Sequence, residues 1–162
     1  MRRATLLLAT LCAALAVTAA SAAADDAAIV AAYDHWHPAL KRAGKAYVRA
    51  VRAVQRTHYG RRPLRRLVRA DAKINRALAH ITRAVSSQQP STATGARARR
   101  CTVKANRLWR RANVLEMRAA RAGIHHRWKR LDRFYARSDR VWARARPLLR
   151  CQRRALKELR GG

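Results

Sequence analysis

Carboxylates are scarce in this sequence. Its 162 residues include 8 Asp plus Glu against 38 Lys plus Arg, which gives a formal net charge of +30. So few acids, spread along the chain, rarely meet as the paired carboxylates of general acid–base catalysis. A GC-rich genome favours Arg over Lys but does not remove Asp and Glu, so the acid deficit is the informative feature. A protein with this charge is expected to have an anionic partner.

Catalytic and metal-binding motifs are also lacking. The sequence has no glycine-rich phosphate loop, nucleophile elbow or zinc-protease motif. Its histidine pairs, at 35 and 37 and at 125 and 126, do not have the spacing of helical zinc ligands. Asp132 and Asp139 lie ~10 Å apart on one helix edge, but nearby arginines predict ion pairs for both. We therefore predict that the protein is not an enzyme and that it needs no metal and no cofactor.

No apolar run is long enough for an ordinary membrane span. The longest, Leu6–Val17, is shorter than the ~20 residues that a spanning helix needs. Because Arg2 and Arg3 precede it and small residues follow, it is typical of a signal peptide. We predict that residues 1–24 are a cleaved signal peptide, with cleavage after Ala22 or Ala24. The mature protein would then be secreted or lie in the periplasm or cell envelope.

The sequence contains three cysteines, and cleavage of the signal peptide would leave two. Removal of residues 1–24 would take away Cys12 and leave only Cys101 and Cys151. Two cysteines in an oxidising compartment predict one disulfide. In a straight helix they would be ~75 Å apart, so the bond requires a chain reversal. The hydrophobic phase changes after Gly123, which predicts the reversal there.

The chain from 25 to 162 is predicted to be a single, basic, all-α domain. Apolar residues recur at steps of three and four through 27–57, 64–85, 101–122 and 124–149, which predicts helices with core-facing seams. We expect two helical hairpins forming a four-helix bundle, joined by a flexible polar connector at 86–95. Gly60 is the expected C-cap of the first helix, and Pro38 is expected to kink it. A short C-terminal helix is expected after Pro147; the alternative is a three-helix arrangement with one long helix spanning Gly123.

Several seam residues carry specific expectations. Asp71 lies on a seam and is predicted to form an ion pair with an arginine, because a buried carboxylate is costly without a partner. Asp26 is expected to cap the first helix. Most tryptophans, including Trp128, follow the seams and are predicted to lie in the core, whereas Trp109 and Tyr59 are expected to be partly exposed.

Basic residues recur at every seventh position on the outer rows of the helices, where ordinary bundles mix Glu with Lys. The absence of compensating acids predicts a polyanion-binding role, since guanidinium pairs well with phosphate and carboxylate. The candidate partners are wall polymers, anionic glycans, lipid headgroups of an anionic membrane surface, and extracellular nucleic acid bound without sequence preference. An envelope chaperone or stress protein and a membrane-active cationic protein are the alternatives. The predicted binding residues are Arg42, Arg49, Arg56, Arg62, Arg69, Arg76, Arg83, Lys104, Arg111, Arg118, Arg130, Arg137 and Arg144.

Overall fold

A computed structural model describes the backbone of residues 2–161 and the side chains of residues 25–161. This part of the chain forms four α-helices and no strand: α1 (Arg2–Arg56), α2 (Arg61–Ser86), α3 (Ala93–Ile124) and α4 (Trp128–Gly161). The predicted signal peptide, at 1–24, lies outside the residues whose side chains are described.

The helices form an all-α four-helix bundle, as the seams predict. Short turns join α1 to α2 and α3 to α4, so each pair is a helical hairpin, and α2 packs against α3 to join the two hairpins. By contrast, α1 makes few contacts with α3 or α4. The chain reverses at residues 125–127, which confirms the second hairpin and excludes a single long helix across Gly123.

The turn after α3 is closed by a left-handed residue. The N–H of Arg127 donates to the carbonyl of Ala122 (2.9 Å), and the N–H of His126 donates to the carbonyl of Gly123 (3.0 Å). His126 has φ 54°, the conformation that closes a Schellman motif and is usually taken by glycine. Gly123 itself lies inside the helix.

Gly123 is needed for close helix packing and not for the conformation of the turn. A Cβ at this position would lie 2.9 Å from Leu131 Cδ1 and 3.1 Å from Leu64 Cδ1. The missing side chain therefore lets α4 and α2 approach the end of α3. The phase change was the correct signal for a reversal, although the residue that adopts the turn conformation lies three positions later.

The turn after α1 follows the same pattern, and the predicted glycine cap is wrong. The N–H of Tyr59 donates to the carbonyl of Val54 (3.0 Å), and His58 and Tyr59 have φ values of 47° and 66°. Gly60 is the N-cap of α2, with φ −56°. His58 occupies the left-handed position because short-range hydrogen bonding of the turn outweighs its steric cost.

The separate helix expected after Pro147 is also wrong. Pro147 lies inside α4 on its exposed side, and the helix continues to Gly161. Beyond the proline, Ala155 and Leu156 are buried in the core. Their packing stabilises the part of α4 that follows Pro147 and compensates for the backbone hydrogen bond that proline cannot donate. Pro38 is likewise inside α1, which does not restart there.

The disulfide is present as predicted. Cys101 of α3 is bonded to Cys151 of α4, with their Cα atoms 6.0 Å apart. The bond lies far from the turn at 125–127, so it closes the open end of the second hairpin.

Asp26 holds α3 instead of capping α1. Its carboxylate accepts a hydrogen bond from the N–H of Ser91 (3.1 Å) and another from the hydroxyl of Thr92. Thr92 is the N-cap of α3, and its side chain accepts from the N–H of Gly95 (3.0 Å). The sequence prediction failed because α1 begins well before Asp26, which leaves that carboxylate free to reach the start of α3.

Candidate functional site

A shallow basic groove runs between α1 and α2. It consists of two overlapping cavities of about 520 Å³ and 480 Å³, which share Ala46, Arg49 and Lys73. Alanines of both helices form its floor, and long basic side chains form its walls. We call it the α1–α2 groove; its residues are Trp36, Ala39, Arg42, Ala43, Ala46, Arg49, Ala50, Ala53, Arg66, Arg69, Ala70, Lys73, Arg76, Ala77 and His80.

The alanine floor explains the shape of this groove. Ala39, Ala46 and Ala53 recur at every seventh position of α1, and Ala70 and Ala77 do the same on α2. Because the alanine side chains are short, they leave open space between the longer basic side chains on either side of the groove. At one end the groove reaches Trp36 and His80, whose rings are stacked with centroids 4.3 Å apart. The result is an open channel along the hairpin, which suits an extended ligand.

The charge in the α1–α2 groove is uncompensated. The residues that line it include six Arg or Lys side chains and no carboxylate. Ion pairs within the described side chains join Arg97 to Glu158 and Arg160 to Asp34, and both lie outside the groove. The six basic groups repel one another, and an anion held between the two helices would relieve that repulsion.

A second basic groove lies between α3 and α4. This α3–α4 groove has a volume of about 550 Å³. Five arginines line it beside three aliphatic side chains, again with no acid among its described residues. The lining residues are Arg111, Val114, Leu115, Arg118, Arg137, Arg140, Val141 and Arg144.

Eight of the thirteen predicted binding residues line one of these two grooves. All thirteen are exposed. The α1–α2 groove contains Arg42, Arg49, Arg69 and Arg76, and the α3–α4 groove contains Arg111, Arg118, Arg137 and Arg144. Lys104 lines a smaller cavity of about 300 Å³ beside the connector, whereas Arg56, Arg62, Arg83 and Arg130 line neither groove.

The heptad rows missed three groove residues. Arg66 and Lys73 line the α1–α2 groove, and Arg140 lines the α3–α4 groove. Along α2 the basic wall follows the spacing 66, 69, 73, 76, which alternates steps of three and four. This spacing marks one face of a helix and would have identified the wall from the sequence.

The bundle interior contains a polar cluster centred on Glu116. Its carboxylate accepts hydrogen bonds from the Tyr47 hydroxyl (2.8 Å), the Trp142 indole N–H (2.8 Å) and the Ser138 hydroxyl (3.1 Å). These donors come from α1 and α4, whereas Glu116 belongs to α3. Burial and the charge of Glu116 raise the pKa of Tyr47 far above its usual range and raise that of Tyr135 to about 12. Glu116 is therefore held as a structural hydrogen-bond acceptor.

Asp71 lacks the arginine partner that the sequence predicts. It is fully buried, and neither carboxylate oxygen has a hydrogen-bond partner in the described structure. Burial, and then the charge of Glu116, raise its pKa to about 8. The ion pair predicted for Asp71 is wrong because the arginines of α2 project to the exposed side of the helix, away from the seam. Asp132 and Asp139 also make no ion pair within residues 25–161.

Nothing in the described side chains suggests a metal centre or a membrane span. Residues 25–161 hold no cluster of three or more His, Cys, Asp or Glu side chains that could bind a metal ion. In the same range, no helix is both long enough and apolar enough to cross a bilayer.

Comparison with known proteins finds no relative. No protein-family model matches the chain, and no curated protein or solved structure is similar to it. Its function must therefore be inferred from its own residues.

Proposed function

We propose that this protein is an exported, non-enzymatic binder of polyanions and that the α1–α2 groove is its principal binding site. The observation that carries the proposal is the pair of facing basic walls without a compensating acid. Guanidinium and ammonium groups on both sides of an open channel suit a linear polymer of phosphates, sulfates or carboxylates. The α3–α4 groove offers a second contact of the same kind.

Export is part of this proposal. The run at Leu6–Val17, with its preceding arginines, supports a signal peptide. The Cys101–Cys151 bond supports an oxidising compartment. The proposed ligands are therefore polyanions of the cell envelope or the extracellular space.

Burial of the apolar seams favours this function over a membrane-active one. Ile29, Leu64, Leu78, Ile81 and Val85 are buried against residues of neighbouring helices. A protein that inserted its seams into lipid would have to give up this core. Polyanion binding uses only side chains that are already exposed.

A charge-matched pair of variants tests the groove. The groove variant is R49Q/R66Q/R69Q/K73Q, and the control is K45Q/R110Q/R146Q/R150Q, whose four residues are exposed, lie outside both grooves and are not among the predicted binding residues. Both variants lose the same charge. We expect the wild type and the control to remain on a heparin resin past about 0.5 M salt, where screening leaves only close contacts. We expect the groove variant to elute well before the control.

Co-elution of the two variants would contradict the proposed site, because retention would then depend on total charge alone. Heparin should also raise the melting temperature of the wild type and the control, since a ligand of the folded state stabilises it. A smaller rise is expected for the groove variant.

A further inference from the structure

Both hairpin turns lie at the same end of the bundle. Residues 57–60 join α1 to α2, and residues 125–127 join α3 to α4. The guanidinium Nε of Arg61 donates to the carbonyl of Ile124 (3.1 Å), which fixes one turn against the other. We call this end, formed by 56–62 and 125–130, the tip.

Two large aromatic side chains are exposed at the tip. Tyr59 is 43% exposed and Trp128 is 44% exposed. Their ring centroids are 6.1 Å apart, and the His126 ring is 5.7 Å from that of Trp128. Residues from two different turns therefore form one aromatic patch in solvent. Sequence periodicity places Trp128 in the core, which is wrong: Trp128 is the first residue of α4, and nearly half of it is exposed to solvent.

The backbone that holds Tyr59 outward is unfavourable. A bulky residue such as Tyr rarely adopts a left-handed conformation, and it does so here at φ 66° directly after His58 at φ 47°. Such a conformation costs a non-glycine residue about 1–2 kcal/mol. Strain of this kind is concentrated at functional positions. Fold stability alone would favour glycine at position 59.

Basic residues flank the aromatic patch in the sequence. Arg56, Arg62, Arg127, Lys129 and Arg130 are all exposed. The segments 55–62 and 121–131 contain no Asp or Glu; Asp132 follows the second segment, and Asp139 lines one cavity together with Tyr59. An exposed Trp and Tyr on turns that carry five exposed cations match the boundary between anionic headgroups and acyl chains.

We propose that the tip docks on membrane surfaces that contain anionic lipids. Trp128 and Tyr59 would enter the headgroup region, and the arginines of the tip would bind lipid phosphates. The rings meet edge to face, at 70° and 72°, and do not form the parallel platform on which nucleobases stack. This favours lipid over nucleic acid. The tip shares no residue with the α1–α2 groove, so this site goes beyond the proposed polyanion binding.

The decisive variant is Y59G/W128S, which removes the aromatic patch without changing the net charge. Vesicles of phosphatidylcholine mixed with phosphatidylglycerol should bind the wild type, and pure phosphatidylcholine should bind it weakly. We expect the variant to bind the anionic vesicles about tenfold more weakly, a loss of about 1.4 kcal/mol. Because glycine relieves the left-handed conformation at position 59, its contribution should offset the loss of the exposed rings, and the melting temperature should stay close to that of the wild type.

Tryptophan fluorescence gives a second measurement. Anionic vesicles should shift the emission of the wild type to the blue, and the shift should be lost in Y59G/W128S. The groove variant R49Q/R66Q/R69Q/K73Q should keep the shift, because it retains both rings of the tip. This arrangement separates failure of the tip from failure of the groove.

Three results would overturn the tip proposal. Equal binding of anionic vesicles by the wild type and Y59G/W128S would show that charge alone holds the protein on lipid. An unchanged emission spectrum on vesicles would show that Trp128 stays in water. Quenching by a single-stranded oligonucleotide, without any vesicle shift, would assign the tip to nucleic acid instead.

Discussion

The two hairpins of the bundle are stabilised in different ways. In α2 the buried face is mainly aliphatic, with Leu64, Leu67, Ile74, Leu78 and Ile81. The buried residues of α3 and α4 are mostly small or polar; they include Ala105, Asn106, Ala112, Asn113, Glu116, Ser138 and Gln152. The first hairpin therefore depends on hydrophobic burial, whereas the second depends on close helix approach, hydrogen bonds to Glu116 and a disulfide.

This difference shows how a short, highly charged chain can maintain one core. Small residues in α3 and α4 supply little apolar area, so burial alone would hold the second hairpin weakly. The disulfide and the hydrogen bonds to Glu116 compensate for that shortage. Variants that remove each contribution in turn test this interpretation.

The largest effect is expected from loss of the disulfide. C101S/C151S opens a loop with a sequence separation of 50 residues, which should lower the free energy of unfolding by about 4 kcal/mol. Denaturant unfolding would measure the loss. Hydrogen exchange should show that α3 and α4 lose protection before α1 and α2. Equal loss of protection in all four helices would contradict the division between the hairpins.

A core truncation in the first hairpin should come next. Leu78 is fully buried in the aliphatic cluster, and Leu78→Ala should destabilise the protein by about 3 kcal/mol through lost burial and a cavity. The matched control is Leu115→Ala, which truncates a half-buried leucine of α3. Its effect, again from denaturant unfolding, should be clearly smaller. A larger effect at Leu115 would reverse the comparison.

Glu116→Gln tests the polar network of the second hairpin. The amide offers a single acceptor oxygen to three donors from Tyr47, Ser138 and Trp142, so we expect a loss of about 2 kcal/mol. The near-ultraviolet signal of Trp142 should change as well. Asp139→Asn serves as the control because that carboxylate is exposed and has no ion pair among the described residues; its effect should stay within about 0.5 kcal/mol.

At Asp71 the informative quantity is the pH dependence of stability and not the size of the effect at one pH. The folded pKa of about 8 lies above the ordinary value of 3.8, so between these values the folded state binds more protons than the unfolded chain. Stability attributable to Asp71 should therefore fall as pH rises from about 4 to 8. Asp71→Asn should flatten that decline and should raise stability at pH 8 relative to the wild type. Denaturant unfolding at several pH values would measure this; parallel pH profiles for the two proteins would contradict the assignment.

Local sequence patterns were sufficient for the helices but not for their mutual arrangement. The apolar periodicity located all four helices, and Cys101 with Cys151 indicated the reversal near Gly123. Apart from the disulfide, contacts between distant residues were not predictable. The carboxylate of Asp26 accepts hydrogen bonds from Ser91 and Thr92, which lie 65 and 66 positions away in the sequence. No local sequence pattern predicts that pairing.

The candidate sites were also predictable only in part, because their geometry depends on how the helices pack against one another. Heptad spacing identified exposed arginines such as Arg49 and Arg69 but could not show that they face one another across a groove. That arrangement depends on how α1 and α2 are rotated about their axes, which is set by packing between the helices. The tip depends on left-handed residues in two turns, and neither His126 nor Tyr59 belongs to a residue type that predicts this conformation strongly.

The position of the disulfide also has a consequence for the order of assembly. Both cysteines belong to α3 and α4, so their oxidation needs no contribution from α1 or α2. The second hairpin can become a covalent ring before the two halves of the bundle meet. In that case α2 would dock onto an α3–α4 hairpin that is already cross-linked, and the late step of folding would be the association of two preformed hairpins.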